Sequence, residues 1–190
     1  VAFSAQGLKV TVLLLDGTPY PLFEKLKEHS QINIICLEKG KSIYNPLLVF
    51  KIKQIIKDFD IVHVHLFPSS YWVALARFIS FNKPNIIFTE HNTTNRRREI
   101  PIFKYIDRWV YKQYKSIVTI SDAVDTSLKN YLGNRFKNNI KIYNGIHLET
   151  FIDAQPYLKT ELGFSGNKKI LIQVSSFTAQ KDQKTLIKAI

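Results

Sequence analysis

Ile86-Ile87-Phe88 runs directly into Thr89-Glu90-His91-Asn92. An apolar run without polar alternation marks a strand covered on both faces, the pattern of a parallel sheet. Open α/β sheets bind their ligands beyond the C-terminal ends of their strands, where this one turns polar. Alternation sends the side chains of Glu90 and His91 to opposite faces of an extended segment. His91, nearer the strand end, is expected to face a cleft, where an imidazole can hydrogen-bond a sugar hydroxyl or a phosphate. The plainer reading is a histidine satisfied by a local backbone carbonyl.

The rest of the chain repeats the strand–helix rhythm. Leu8 to Leu15 is a largely apolar strand, expected to be buried on both faces and followed by the turn residues Asp16-Gly17-Thr18-Pro19. Pro21 to His29 reads as a helix and Asn33 to Leu37 as a strand. Asn45-Pro46 opens a helix with Leu48, Ile52, Ile55, Ile56 and Phe59 at helical spacing. Asp60 to Leu66 is a strand, residues 68–79 a helix, and 86–90 the next strand. Residues 102–115 form an amphipathic helix. Ile102, Phe103, Ile106, Trp109, Val110 and Tyr114 make one face, and Lys104, Arg108, Lys112 and Lys115 another. Ser116 to Ile120 is a strand, Ser121-Asp122 caps a helix that Gly133 stops, and Ile140 to Tyr143 is a short strand ending in the turn signal Asn144-Gly145. This alternation predicts right-handed crossovers and the α/β class, a doubly wound parallel sheet over residues 1–150. Residues 151–167 read as a linker. Lys168 to Val174 and Lys181 to Ile190 then begin a strand and a helix of a second α/β domain, over 168–190.

The 190 residues are 45% hydrophobic and 22% charged, ordinary for a globular protein. The single cysteine, Cys36, excludes an intramolecular disulfide and fits a reducing compartment. No 18-residue apolar run marks a membrane span. The chain has no methionine, Val1 to Gly7 reads as the end of a helix, and the sequence stops within a helical pattern, so it is expected to be a piece truncated at both ends. The net charge of +12 favours an anionic partner or simply makes a solvated basic surface. That charge is densest at Arg96-Arg97-Arg98 and along Lys104, Arg108 and Lys112, where interleaved Tyr105, Trp109 and Tyr111 suit an anionic membrane surface. A basic nucleic-acid-binding module is the competing reading, although no aromatic RNA-binding strand or helix-turn-helix is present. His63 and His65 share a strand face and could start a metal site with His91, the basis of a third reading as a metal-dependent hydrolase. Ser121-Asp122 reads first as an N-cap and second as a phosphate-holding helix start. There is no Gly-x-Gly-x-x-Gly, no phosphate-binding P-loop and no Gly-x-Ser-x-Gly elbow.

Five segments in order resemble family 4 glycosyltransferases of the GT-B fold. They are Asp60-Ile-Val-His-Val-His65, Thr89-Glu-His-Asn92, Ile117-Val-Thr-Ile-Ser-Asp-Ala123, Ile142-Tyr-Asn-Gly-Ile-His-Leu-Glu-Thr-Phe151 and Ile172-Gln-Val-Ser-Ser-Phe-Thr-Ala-Gln-Lys-Asp182. The resemblance implies a Rossmann-like, acceptor-binding N-terminal domain and a C-terminal domain for a nucleotide-sugar donor. It also implies retention of anomeric configuration and no metal or other cofactor. The acceptor would be a glycan or lipid-linked molecule of the cell envelope, at the cytoplasmic face of the membrane, with no nucleic-acid partner. His91 matches the histidine that faces the donor sugar, Ser121 the serine at the last helix of the N-terminal domain, Asn144 and Gly145 the hinge-side pair, and Lys181 the lysine on the donor diphosphate. Ser176 stands where many members carry a second diphosphate-binding arginine. The first strand with its glycine-rich loop, and the Glu-x7-Glu region, have no counterpart in the sequence, so the 190-residue piece alone is expected to be inactive. Residues 38–45 and 92–100 are the loops expected to select the acceptor.

Overall fold

The computed structural model describes residues 6–38, 40, 42–133, 138–146, 148–165, 167 and 169–190. The helix end expected over Val1 to Gly7 lies outside the described residues for its first five positions. The chain divides into two compact units, Val1–Gly145 and Ile146–Ile190.

The first unit alternates strands and helices: β1 (Val10–Asp16), α1 (Pro21–Lys27), β2 (Ile32–Glu38), α2 (Leu48–Ile56), β3 (Ile61–His65), α3 (Ser69–Phe78), β4 (Asn85–Glu90), α4 (Pro101–Lys112), β5 (Ser116–Thr119), α5 (Asp122–Leu132) and β6 (Asn139–Lys141). Every ladder is parallel, as the crossover pattern demands. The single expected sheet is two: β1–β2, and a four-stranded sheet in the order β3-β4-β5-β6. Among the described residues β1 has a ladder partner on one side only. Its seven residues are accordingly half-buried instead of covered on both faces.

Helices cover one face of the four-stranded sheet. Alternation turns Val64, Ile86, Phe88 and Ile117 into a core with Leu48, Ile52 and Ile56 of α2, Ala74 of α3, Val110 and Tyr111 of α4, and Leu128 of α5. Phe88 packs edge-on against Tyr111, with centroids 5.7 Å apart. The other face carries the exposed Ile61, His63 and His65, whose rings are nonetheless partly covered by their neighbours, and the half-buried Ile87 and Val118.

Local signals set several boundaries. Ser121 Oγ accepts the Val124 N–H at 3.2 Å as the N-cap of α5, and Gly133 ends that helix at φ 85°, a left-handed conformation that glycine adopts freely. Asn45 and Pro46 form a turn before α2 and not its first residues. Asn45 Oδ1 accepts the Leu47 N–H at 3.0 Å, a local bond that competes with helix pairing. In α4 the buried side is Asp107, Val110 and Tyr111, while Ile102 and Ile106 are exposed, so the helix is turned away from its apolar stripe. Asn144-Gly145 forms no turn and lies in irregular chain after β6.

The second unit contains α6 (Glu149–Ile152), a 3-10 turn (Ala179–Lys181) and α7 (Gln183–Lys188). Asp182 caps α7 by accepting the Thr185 N–H at 3.3 Å. The strand expected over Lys168 to Val174 does not form among its described residues, 169–174. Leu171, Ile172 and Val174 are exposed and find no ladder partner, without which an extended segment is not a strand.

Candidate active-site edge

Because the ladders are parallel, His65, Glu90, Thr119 and Lys141 end their strands on one edge of the sheet. There the chain leaves β3 through Leu66, which holds a left-handed φ of 61° that leucine rarely adopts. A cleft of about 440 Å³ opens at this edge. Leu66, Phe67, Phe88, Ile100 and Phe103 give it apolar walls, and Thr89, His91, Asn92, Asn95 and Arg96 give it polar groups.

Alternation separates Glu90 from His91. Glu90 is buried on the helix side, where Oε2 accepts from Arg98 Nη2 at 2.7 Å and from the Tyr111 hydroxyl. Arg98 Nη1 also donates to the Thr93 carbonyl at 2.9 Å, so the ion pair draws the loop after β4 down onto the core. A second buried carboxylate, Asp107 of α4, has no exposed surface. It accepts from the hydroxyls of Tyr71 and Tyr131, the latter at 2.9 Å, and lies 3.3 Å from Arg97 Nε. The Arg97 guanidinium also lies over the rings of Phe67 and Tyr71, 4.5 and 4.8 Å from their centroids. Burial and the bond to Asp107 push the Tyr71 phenol up, and the Tyr131 phenol up to about 12. Burial and the neighbouring Glu90 charge raise that of Tyr111 well above its ordinary value. All three therefore stay protonated donors.

His91 belongs to a different arrangement. His65 Nδ1 and His91 Nε2 are 3.1 Å apart, one donating to the other, and His63 Nε2 meets Thr89 Oγ1 at 2.7 Å. The rings form a row, with centroids 4.4 Å apart from His63 to His65 and 5.4 Å from His65 to His91. Partial burial lowers the ionisation of His63, with the nearby His91 adding to it. Partial burial lowers that of His65 to about 4, with both neighbouring imidazoles adding. A row of tilted rings, of which only His65 and His91 are hydrogen-bonded to each other, is not a convergent ligand set. Among the described residues no three His, Cys, Asp or Glu are grouped to hold a metal ion, which removes the geometric basis of the metal-dependent hydrolase reading.

The family model for Glycosyltransferase Family 4 matches residues 1–150. The chain belongs to Glycosyltransferase Family 4. No curated protein matches it. The matched region includes the whole strand edge, so the protein carries a glycosyltransferase domain built on a Rossmann-like α/β fold.

The remaining residues singled out in the sequence fall in two places, the strand edge of the family 4 domain and the second unit. Ser121 and Asn144 follow β5 and β6 on the same edge as His91. Ser121 uses its oxygen as the N-cap, and the next residue, Asp122, is bound by Lys141 and by the Tyr143 hydroxyl at 2.8 Å, which together hold its carboxyl below the usual range. A phosphate at that helix start would meet the carboxylate. Gly145, beside Asn144, has open space where a side chain would sit. Lys181 lies in the second unit, at the 3-10 turn before α7.

The basic set divides. Arg96 is exposed and borders the cleft, and Lys104 and Lys112 are exposed on α4. Arg98 does not face an anionic partner, because its charge is spent on buried Glu90. Arg97 borders the cleft with its charge committed to Asp107, since a buried carboxylate requires a compensating cation. Arg108 Nε donates to the Leu132 carbonyl at 3.3 Å, where a cation suits the end of α5. Sequence reading missed both carboxylate networks. The available signal was Asp107, an acid amid the apolar positions of its helix.

Proposed function

We propose that this domain forms the acceptor side of a transferase that moves a sugar from a nucleotide-diphosphate-sugar to a hydroxyl of a glycan or lipid-linked acceptor, with retention of anomeric configuration. The observation that carries the reading is the cleft at the C-terminal edge of β4, which His91 lines with His65 hydrogen-bonded behind it. In the reaction the bond from the anomeric carbon to the diphosphate oxygen breaks. The acceptor oxygen bonds that carbon on the same face, and the acceptor proton leaves with the diphosphate. His91, oriented by His65, hydrogen-bonds a hydroxyl of the transferring sugar, and fixed polar groups of this kind act by positioning and by meeting developing charge. Lys181, in the second unit, is the residue that the resemblance assigns to the diphosphate, and the proposed reaction includes no metal or other cofactor. Ser176, in place of an arginine, adds no second cation there. The apolar walls of Leu66, Phe67 and Phe103 suit the carrier portion of a lipid-linked acceptor destined for the cell envelope. No helix among the described residues is long and apolar enough to cross a membrane. The proposed setting is the cytoplasmic face.

The test incubates the full-length protein with a panel of nucleoside-diphosphate hexoses and membrane-extracted acceptors, then reads the product's anomeric proton by NMR. Retention is expected, with His91→Ala slowing turnover about 100-fold at unchanged thermal stability. An inverted product, or wild-type turnover by His91→Ala, overturns the reading.

A further inference from the structure

Four ionisable side chains line the cleft: Glu90, His91, Arg96 and Arg97. Two of them are already balanced. Glu90 is paired with Arg98 at 2.7 Å, and Arg97 with Asp107 at 3.3 Å. Arg96 is left over. It is exposed at the border of the cleft, and among the described residues its guanidinium has no ion pair and no hydrogen bond. Glu99, the acid of the same 3-10 turn (Arg96–Glu99), lies outside the lining. The arginines and carboxylates of the lining, counted with their partners, therefore leave one positive charge uncompensated.

The loop holds that charge at the cleft. On one side of Arg96, Asn95 accepts the Arg98 N–H through its carbonyl at 3.0 Å and its side-chain oxygen at 3.2 Å. On the other side Arg97 is fixed by Asp107 and lies over the Phe67 ring. Both neighbours are anchored, and only the Arg96 side chain has no partner. Phe67, Ile100 and Phe103 wall the cleft, and a charge beside apolar walls is less screened than one in open solvent. A guanidinium presents a planar fork of donors that matches the paired oxygens of a carboxylate or a phosphate.

We propose that the acceptor carries an acidic group, a carboxylate or a phosphate, near the hydroxyl that receives the sugar, and that Arg96 binds this group. Arg96 and His91 line one cleft of about 440 Å³, so the acid and the receiving hydroxyl belong to one ligand. The inference rests on the acceptor-side reading given above and adds the charge that selects the acceptor.

The full-length protein is titrated with phenyl β-glucuronide, phenyl phosphate and phenyl β-glucoside, with binding followed by ligand-observed NMR. At least one of the two anions is expected to bind about tenfold tighter than the neutral glucoside, and which one does so separates a carboxylate from a phosphate. Arg96→Gln abolishes that preference and leaves glucoside affinity and thermal midpoint unchanged, because the side chain fastens nothing. Arg96→Lys restores part of it, since a point charge lacks the fork. Lys104→Gln, on the exposed side of α4, keeps the preference. Absence of binding by both anions, equal affinity for anions and glucoside, or a preference that survives Arg96→Gln overturns the proposal. Pyrophosphate that binds more tightly than either anion, and only while Arg96 is present, reassigns the residue to the donor diphosphate and overturns it as well. No donor is present and no transfer is read, so failure here leaves the His91→Ala test of the transferase reading intact.

Discussion

Glu90 and His91 are joined by one peptide bond and live under opposite rules. Glu90 is 5% exposed and clamped by Arg98 and Tyr111, so its carboxylate is committed to partners within the protein. His91 is half-buried at the cleft, and its hydrogen-bonding partner is another histidine. The strand end thus divides its labour by the two-residue period of the β-strand: one face fastens the loop that forms the cleft, and the other faces what enters it. Breaking the fastening side should cost stability. Breaking the histidine side should cost chemistry and little stability.

The largest effect is expected at Asp107, where one carboxylate serves Tyr71, Tyr131 and Arg97. Asp107→Ala leaves a buried guanidinium without its counter-ion and should destabilise the domain by about 3–5 kcal/mol, read by urea denaturation. A loss below about 1 kcal/mol would mean that water reaches the network and that its fastening role is overstated.

Glu90→Gln should follow at about 3 kcal/mol, for the same reason, since the amide keeps one acceptor oxygen but no longer balances Arg98. A sharper form pairs it with the apolar double variant Glu90→Leu/Arg98→Met. Removing both charges together should restore most of the stability, because each buried ion is costly only when left alone. A double variant as unstable as the single one would show that the loop depends on these hydrogen bonds and not on charge balance.

The smallest expected effect is the pH response of the histidine row. His65 ionises near 6.5 when unfolded and near about 4 when folded, and His63 is shifted in the same direction. Between those values the unfolded chain binds more protons, so stability is complete above about pH 6.5 and declines as pH falls through the window. His65→Gln should flatten the change in denaturation midpoint between about pH 7 and about pH 5 while leaving stability at neutral pH within about 0.5 kcal/mol. An unchanged slope would assign the acid sensitivity elsewhere.

Local chemistry made much of this legible. The strand–helix alternation, the Ser121 cap, the stop at Gly133 and the polar end of β4 each depend on residues a few positions apart, and all appear in the structure. What could not be read depends on distant partners. Asp107 and Tyr111 count as polar in a helical pattern, so the apolar stripe pointed to Ile102 and Ile106. Their burial is explained by Arg97, Arg98, Tyr71 and Glu90, which come from three other segments. The division of the sheet after β2, and the failure of residues 169–174 to pair, are likewise questions of which neighbour is present and not of what the strand itself prefers.

The loop after β4 is tied down at its back and open at its front. Arg97 and Arg98 are fixed by carboxylates, and the Thr93 carbonyl accepts from both Arg98 and the Ser127 hydroxyl. Asn92, Thr94 and Arg96, interspersed among these anchors, are exposed. Mutation can therefore rewrite the rim one residue at a time while the fastenings stay intact. A lineage can vary the border of the cleft here without first passing through an unstable intermediate.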